Sequence, residues 1–508
     1  MKTIVYLILS LSLFLPFRLA GQDETSDSSI TDRIKHEGLN NSSIEDLAFW
    51  MTDAAGPRLT ASKGGERGNT IAIQKLKEYG LENVREEKVD GFEPGGWDNI
   101  KTYAAMISPY YVPFTVNPVA WTSGTKGRIS SEVLAVNIKE YKDFDMYRGK
   151  LSGKIVLHVE QEMYSLYEKT RFKEAPYTDE ELKKLSLPEE IPVQDNSHPE
   201  PAIKTPSRNE IDDFLTKEKA AVILRLSKAG EYNVPRSSGV SYRYGDPRPL
   251  PQLNLPLEAF GRVDRLLRNN IPVKMVVEIK NAFTKNLSVS NIFGEIPGTD
   301  PLLRNEIVLI GAHIDSWHGG TGAVDNAAGC IIMMEAMRIL KNLGLKPGRT
   351  IRIALWGGEE QGLTGSRAYA RKYLADPLTK EHKPGYDSFM VYFNADHLTG
   401  RFRGIYLQGN EEVRPVFEEW LKPFEDMGCS TLSIRNFWNT DHISFDEVNL
   451  PAFTFIQDQG EFGRGYHSIM DTYERLDIDA LKQNSIIMAY LVYRASIQKE
   501  KLPCKMNY

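Results

Sequence analysis

From residue 286 onward the sequence alternates between short apolar runs and longer amphipathic stretches, and this alternation constrains the fold more than any other feature. The apolar runs have the length of buried strands, and the amphipathic stretches have helical spacing. This pattern predicts an α/β domain whose central sheet is mostly parallel, with helices on both faces. The predicted strands are residues 307–311, 350–356, 389–393 and 452–456, and the predicted helices are residues 326–343, 363–374, 416–424 and 479–494.

Acidic and imidazole side chains follow the predicted strands, at the ends where such sheets bind their ligands. They come from five separate segments of the chain. These residues are His313 with Asp315, Asp325 in a glycine-rich loop, Glu359 with Glu360, Asp396, and His467. A single histidine or a single acidic pair is usually structural or solvated. Their joint placement at one edge of one sheet predicts a metal site.

The residue types at this edge favour zinc. Imidazole and carboxylate ligands suit zinc, and the three cysteines of the chain are too few for a cluster of four thiolates. A pair of metal ions about 3.5–4 Å apart needs a carboxylate that binds both. Asp325 is predicted to be that bridge. We expect His313 and Asp396 to complete one zinc site, and Glu360 and His467 to complete the other.

Two further residues beside the ligands are predicted to be catalytic. Glu359 projects away from its neighbour Glu360, and we expect it to face a water between the metals as the general base. Asp315 lies two residues after His313. We expect its side chain to accept the ring N–H of that histidine and so to fix its tautomer.

The same segments carry a family resemblance. The motifs are GAHIDSW (residues 311–317), GAVDNAAG (322–329), WGGEEQG (356–362), NAD (394–396) and YHSIMDT (466–472), preceded by GPRLTAS (56–62). This ordered series resembles that of the dizinc exopeptidases, the family of aminopeptidase Y and the glutamate carboxypeptidases, and is most similar to the carboxypeptidase Q group. The resemblance implies a phosphorylase/hydrolase-like fold, two zinc ions per chain, the five ligands given above and Glu359 as the base.

The resemblance also implies a reaction. A water bridging the two metals would lose its proton to Glu359, and the resulting hydroxide would attack the terminal peptide bond of a short peptide or dipeptide. Tyr466 would donate a hydrogen bond to the developing oxyanion, although a packed aromatic ring is an equally open alternative. Asp441 and His442 resemble the pocket-lining loop of the family, with an ordinary solvated turn as the alternative. Whether the enzyme is a carboxypeptidase, an aminopeptidase or a dipeptidase stays open.

Two other functions remain to be weighed. A glutaminyl-cyclase-like acyl transferase would use the same fold with a single zinc, and the Glu359–Glu360 pair disfavours it. A non-catalytic, receptor-like domain would have lost its ligands, whereas every ligand type is present here. The zinc exopeptidase is therefore the preferred interpretation.

The chain divides into four predicted parts. Residues 1–21 predict a signal peptide, because Lys2 precedes an apolar run (residues 4–17) that small residues follow. Residues 22–120 are predicted to begin the peptidase domain, and residues 286–508 to form its main part. The β-rich residues 121–285 are predicted to be an insertion, which the family resemblance implies to be a protease-associated domain.

The charge balance and the apolar run bear on partners and location. With 62 basic and 68 acidic residues the net charge is −6, which argues against nucleic-acid binding. The apolar run is shorter than the roughly 20 residues of a membrane span, so we expect no stable membrane anchor. The sequence thus predicts a secreted or periplasmic enzyme that acts on peptides. Relatives are often dimers, so a homodimer is a further expectation from the resemblance.

Overall fold

The computed structural model describes residues 24–159, 176–187, 205–227, 232–396 and 399–505. The predicted signal peptide, residues 1–21, lies outside the described residues. Among the helices of the described ranges, none has both the length and the apolar character needed to cross a membrane.

An eight-stranded central sheet forms the larger layer of the fold. Its strands are β1 (Glu82–Asp90), β10 (Ser288–Ile296), β11 (Ile307–His313), β12 (Thr350–Trp356), β13 (Phe389–Asn394), β14 (Phe402–Tyr406), β15 (Thr431–Ser433) and β16 (Ala452–Gln457). The strand order is β1-β10-β12-β11-β13-β16-β14-β15. The four strands β12, β11, β13 and β16 are parallel, whereas β1, β10 and β12 pair antiparallel, as do β14 and β16. The sheet is therefore mixed, and the parallel arrangement predicted from the sequence describes its centre.

Helices cover both faces of this sheet. The α-helices of the described residues are α1 (Glu24–Asn40), α2 (Ile44–Phe49), α3 (Lys63–Glu78), α4 (Phe144–Tyr147), α5 (Asp179–Leu185), α6 (Arg208–Lys217), α7 (Leu257–Arg268), α8 (Ala328–Asn342), α9 (Thr364–Tyr373), α10 (Arg414–Leu421), α11 (Ile443–Asp446), α12 (Phe462–Gly465) and α13 (Ile478–Ile497). On β11, Val308 and Ile310 pack in the core that α8 and α13 share, while Leu309 packs with Tyr369 of α9 and Phe445 of α11. This alternation follows from successive strand residues pointing to opposite faces.

The predicted elements coincide with observed ones. The four predicted strands are β11, β12, β13 and β16, and the four predicted helices are α8, α9, α10 with the 3₁₀ turn after it, and α13. Each observed boundary lies within three residues of the predicted one. Length and apolar pattern were sufficient for these elements because each is buried along one or both faces.

A second eight-stranded sheet lies between β1 and β10 in the sequence. Its strands are β2 (Gly96–Ser108), β3 (Val112–Pro113), β4 (Asn117–Pro118), β5 (Ile129–Val136), β6 (Ile155–His158), β7 (Val222–Leu226), β8 (Gln252–Leu255) and β9 (Lys274–Thr284). Their order is β3-β2-β9-β5-β6-β7-β8-β4, and helix α7 packs on the apolar core of this sheet. The chain thus leaves the central sheet after β1, builds the second sheet and returns at β10.

A buried ion-pair cluster joins α1 to α8. Arg338 donates hydrogen bonds of 2.7 and 2.8 Å to Glu335 on its own helix, and one of 2.7 Å to Glu37 on α1. The side chain of Glu335 is fully buried, and that of Arg338 is 4% exposed. A buried carboxylate of this kind depends on its partner cation, because little water reaches it.

We therefore expect Arg338→Met to lower the free energy of unfolding by about 3–5 kcal/mol, since Glu335 would keep a buried charge without its partner. The matched control is Arg243→Met, because Arg243 pairs with Glu93 at the surface, with both side chains more than half exposed. That control should change stability by about 1 kcal/mol or less. Urea unfolding followed by tryptophan fluorescence measures both, and equal effects of the two variants would contradict the argument.

Candidate metal centre

The predicted ligands converge at the carboxyl edge of the parallel strands. His313 is the last residue of β11, Glu360 lies in the turn after β12, and Asp396 follows β13. Asp325 comes from the segment before α8, and His467 from the loop after α12. They form two groups that share Asp325, and within each group the ligand atoms lie within 4.8 Å of one another.

The first group is buried. His313 Nε2 lies 3.2 Å from Asp325 Oδ1 and 3.3 Å from Asp396 Oδ1. The side chains of all three residues are at most 6% exposed. A histidine nitrogen and two carboxylate oxygens therefore point at one small volume.

The second group lies beside it. His467 Nε2 lies 3.1 Å from Asp325 Oδ2 and 2.9 Å from Glu360 Oε2. Asp325 thus presents one oxygen to each group, which is the arrangement expected of a bridging ligand.

The hydrogen bonds around His313 show that this donor set suits a cation. Its Nδ1 lies 3.0 Å from the carbonyl oxygen of Asp315, which can only accept, so Nδ1 carries the proton. In a neutral ring, Nε2 then turns a lone pair towards two carboxylate oxygens, and only a proton or a metal ion between them makes this favourable. In addition, Glu360 Oε1 is buried and has no hydrogen-bond partner among the residues that the structure describes. The residues therefore fit a bound metal ion.

The pKa values of these groups reflect the same crowding of acids and imidazoles. Burial opposes the charged form of His467, but the negative charges of Glu360 and Asp325 prevail and raise its pKa to about 10. Burial raises the pKa of Glu360 to about 7. His313 is also affected, since the charges of Asp396 and Glu359 outweigh burial and raise its pKa well above the usual value. The raised pKa values of both imidazoles have the same cause that would favour a divalent cation here, namely several carboxylates around one small volume.

Glu359 lies next to Glu360 in the turn after β12. Burial raises the pKa of its carboxyl group well above the ordinary value, and the nearby negative charge of Asp396 acts in the same direction. A carboxylate in such surroundings accepts a proton readily, as the predicted role of general base requires.

Asp315 contacts His313 differently from the prediction. The ring N–H donates to the backbone carbonyl of Asp315, while the carboxylate oxygen Oδ1 is 3.7 Å away. The chain turns after β11, so the carbonyl rather than the side chain faces the ring. The carboxylate instead accepts hydrogen bonds from Thr60 Oγ1 at 2.8 Å, from Glu359 N at 3.1 Å and from Glu360 N at 3.3 Å. Asp315 therefore orients the turn that carries both glutamates.

Two residues at the site were missed by sequence reasoning. Arg58, which is fully buried, donates from Nε to the carbonyl of Ile314 and from Nη2 to that of Gly322. Thr440 donates from its hydroxyl to Asp396 Oδ2 and leaves Oδ1 facing His313. The GPRLTAS motif contained the only signal for Arg58. Thr440 directly precedes Asp441, which sequence reasoning did single out.

The other predicted residues lie close by. The ring of Tyr466 stacks on that of His467, with 3.7 Å between their centroids. Asp441 and His442 are fully buried, so the alternative of a solvated turn is wrong. His442 Nε2 lies 2.9 Å from the carbonyl oxygen of Phe437, within the interior of its own loop.

Comparison with known proteins bears on the family and on the fold. Residues 291–492 match peptidase family M28, which confirms the resemblance that the motifs carry. The chain is 24% identical to carboxypeptidase Q from Mus musculus over 464 residues, which cover 91% of this chain and 87% of the mouse protein. The structure of a peptidase M28 precursor from Shewanella amazonensis SB2B has a TM-score of 0.68 at 20% identity and covers 96% of this chain and 100% of its own. BSAP, a zinc aminopeptidase from Bacillus subtilis, has a TM-score of 0.56 at 18% identity, covering 91% and 97%. These structures confirm the mixed α/β fold.

We expect Asp315→Asn to weaken metal binding by about 10–100-fold, because the turn that carries Glu359 and Glu360 would lose part of its support. The matched control is Asp376→Asn, since Asp376 also accepts two backbone N–H groups in a turn, from Leu378 and Thr379. Titration against a competing chelator measures both affinities. Equal affinities in Asp315→Asn and the unmodified protein would contradict the assigned role.

Proposed function

We propose that this chain, whose residues 291–492 match peptidase family M28, is a zinc-dependent exopeptidase that hydrolyses terminal bonds of short peptides or dipeptides. The observation that carries the proposal is the pair of His–carboxylate groups that share Asp325. The similarity to carboxypeptidase Q supports an exopeptidase, and the similarity in fold to a zinc aminopeptidase supports zinc as the metal.

Two zinc ions per chain fit the two groups. His313 and Asp396 would hold one ion, Glu360 and His467 would hold the other, and Asp325 would bind both. When bound, the zinc ions would polarise the scissile carbonyl group and lower the pKa of the attacking water.

The chain's own residues would move the protons. Glu359 takes a proton from the attacking water onto its carboxylate and gives it to the amine nitrogen that leaves the broken peptide bond. Tyr466, beside His467, donates its hydroxyl hydrogen bond to the carbonyl oxygen as negative charge develops there. Asp315 acts through the backbone of the turn, because its carboxylate holds the N–H groups of Glu359 and Glu360.

The second sheet also enters the proposal. We assign this sheet's region as a protease-associated-like insertion between the two parts of the peptidase domain. The boundary predicted at residue 121 then moves to about residue 91, because β2, β3 and β4 (residues 96–118) pair within the second sheet, whereas the boundary predicted at residue 285 lies close to the start of β10. Its support is the course of the chain, which leaves the central sheet after β1 and returns at β10.

We expect Glu359→Gln to retain its zinc and to lower kcat by about 10²–10⁴-fold, because the ligands remain while the base is lost. Elemental analysis measures the zinc, and hydrolysis of a dipeptide measures kcat. Glu381→Gln, at an exposed residue that pairs with Lys383, is the control and should leave both unchanged. Full activity of Glu359→Gln would refute the assignment of the base.

Asp325→Ala should lose both zinc ions, because this residue offers an oxygen to each group. Zinc content is measured by elemental analysis after dialysis, with the unmodified protein treated alongside. Loss of one ion only, or of none, would overturn the shared role of Asp325.

The polarity of the enzyme is tested with one peptide in N-blocked and C-amidated forms. An aminopeptidase cleaves the C-amidated form and not the N-blocked one, a carboxypeptidase does the reverse, and a dipeptidase cleaves neither. Cyclisation of an N-terminal glutamine, with activity reaching its maximum at one zinc per chain, would instead support the acyl-transferase alternative. Absence of both zinc binding and turnover of these substrates would support the receptor-like one.

A further inference from the structure

The loop that carries His467 is bound by a segment of the second sheet's region, residues 235–237. Ser237 N donates to the carbonyl oxygen of His467 at 2.6 Å, and Ile469 N lies 3.4 Å from the carbonyl oxygen of Pro235. Between these contacts, Arg236 and Ser468 form an antiparallel bridge. The backbone of the ligand loop therefore pairs with chain that belongs to the other sheet.

The side chain of Arg236 adds two hydrogen bonds on the N-terminal side of His467. Its Nη1 donates to the carbonyl oxygen of Tyr466 at 2.6 Å, and its Nη2 donates to that of Gly463 at 2.9 Å. The guanidinium carbon also lies 5.5 Å from the centroid of the Tyr466 ring. Arg236 is 9% exposed, so water competes little for these carbonyl groups. The buried guanidinium group of Arg236 thus fixes the backbone of the residues that directly precede His467.

Residues 235–237 are themselves fixed to the second sheet. Arg236 N donates to Ser227 Oγ at 2.7 Å, and the carbonyl oxygen of Arg236 accepts from Asn254 Nδ2 at 3.0 Å. Ser237 Oγ accepts from Asn117 Nδ2 at 2.8 Å. Ser227, Asn254 and Asn117 lie at or beside the ends of β7, β8 and β4, and all three are buried. Residues 235–237 therefore link the second sheet to the loop that carries His467, so that the position of one constrains the position of the other.

The conformation of His467 explains why such support matters. Its φ angle is +54°, in the left-handed region that a residue with a side chain seldom adopts. A residue persists in this region when its surroundings over-determine it. Here Ser237 N donates to the carbonyl oxygen of His467, Arg236 binds that of the preceding residue, and the rings of Tyr466 and Trp317 lie against the imidazole.

We propose that Arg236 is a positioning residue for His467, and that it couples attachment of the second sheet to metal binding at the Glu360–His467 group. This inference rests on the proposed zinc site. The two metal positions would then differ in their dependence on the second sheet. The His313–Asp396 group stands on strands of the central sheet, whereas the other group needs a loop that the second sheet holds.

The experiment compares zinc binding in full-length Arg236→Met, Arg236→Lys and the unmodified protein. Met keeps much of the side-chain length and removes the donors, so one of two zinc affinities should fall by about 10–100-fold while the other stays unchanged. Lys keeps the charge with fewer donors and should give a smaller loss. The matched control is Arg225→Met, which removes another buried guanidinium of the second sheet, one that binds Gln252 and His158. It should leave both zinc affinities unchanged.

Amide hydrogen exchange provides a readout that a purely structural role would not move. In the unmodified protein, added zinc should slow exchange at Ser237 and Ile469, whose N–H groups join the segment to the ligand loop. In Arg236→Met, zinc should slow it much less. If added zinc leaves the exchange rates of these amides unchanged in both proteins, the coupling is overturned.

The remaining outcomes separate this inference from the function on which it rests. If each of the two zinc positions has the same affinity in Arg236→Met as in the unmodified protein, the role of Arg236 alone is overturned. Absence of zinc binding by the unmodified protein would overturn the proposed function and this inference with it. If Arg236→Met does not fold, as judged by circular dichroism, Arg236→Lys decides, and unchanged affinities there overturn the proposal.

Discussion

The site depends on one buried cation, the guanidinium group of Arg58. It donates hydrogen bonds to the carbonyl oxygens of Ile314, Thr321 and Gly322, and a fourth to that of Met51. A buried charge is tolerated only when its hydrogen-bonding groups are satisfied. Separating these segments would leave donors of the guanidinium group buried without acceptors, which costs free energy. Because His313 directly precedes Ile314 and Asp325 follows Gly322 closely, this side chain holds the segments of two predicted metal ligands against each other.

Around this fixed point, the site combines supports of different kinds. His313, Glu360 and Asp396 stand at the ends of parallel strands, whose register is set by backbone hydrogen bonds along the central sheet. Asp325 comes from the glycine-rich loop before α8, and His467 from a loop braced by the second sheet. The pKa shifts arise only when these residues are brought together in the fold. The acids raise the pKa of each imidazole, and burial raises the pKa of Glu359 and of Glu360.

Sequence pattern was informative where local rules decide the structure. Strands β11, β12, β13 and β16 were predictable because each is a buried apolar run, and their ends indicated which acids and imidazoles would meet. Strand direction at the flanks of the sheet was not predictable, since an apolar run carries no sign of its direction. The contacts of Arg58, Thr440 and Arg236 were likewise hidden, because each joins residues far apart in the chain. Asp315 was found, but whether its side chain or its carbonyl would face His313 depends on a turn that the spacing does not specify.

The way the second sheet joins the central one has a consequence for how this fold can vary. Strands β1 and β10 pair in antiparallel register up to Asp90 and Ser288, so the two ends of the intervening chain emerge side by side. The whole second sheet therefore occupies the place of a hairpin turn. Its size and shape can be remodelled without shifting the register of the central sheet, as long as a short segment still reaches back to the loop of His467. Change at this junction therefore leaves the register of the central sheet alone, whereas change at residues 235–237 would reach the proposed metal site.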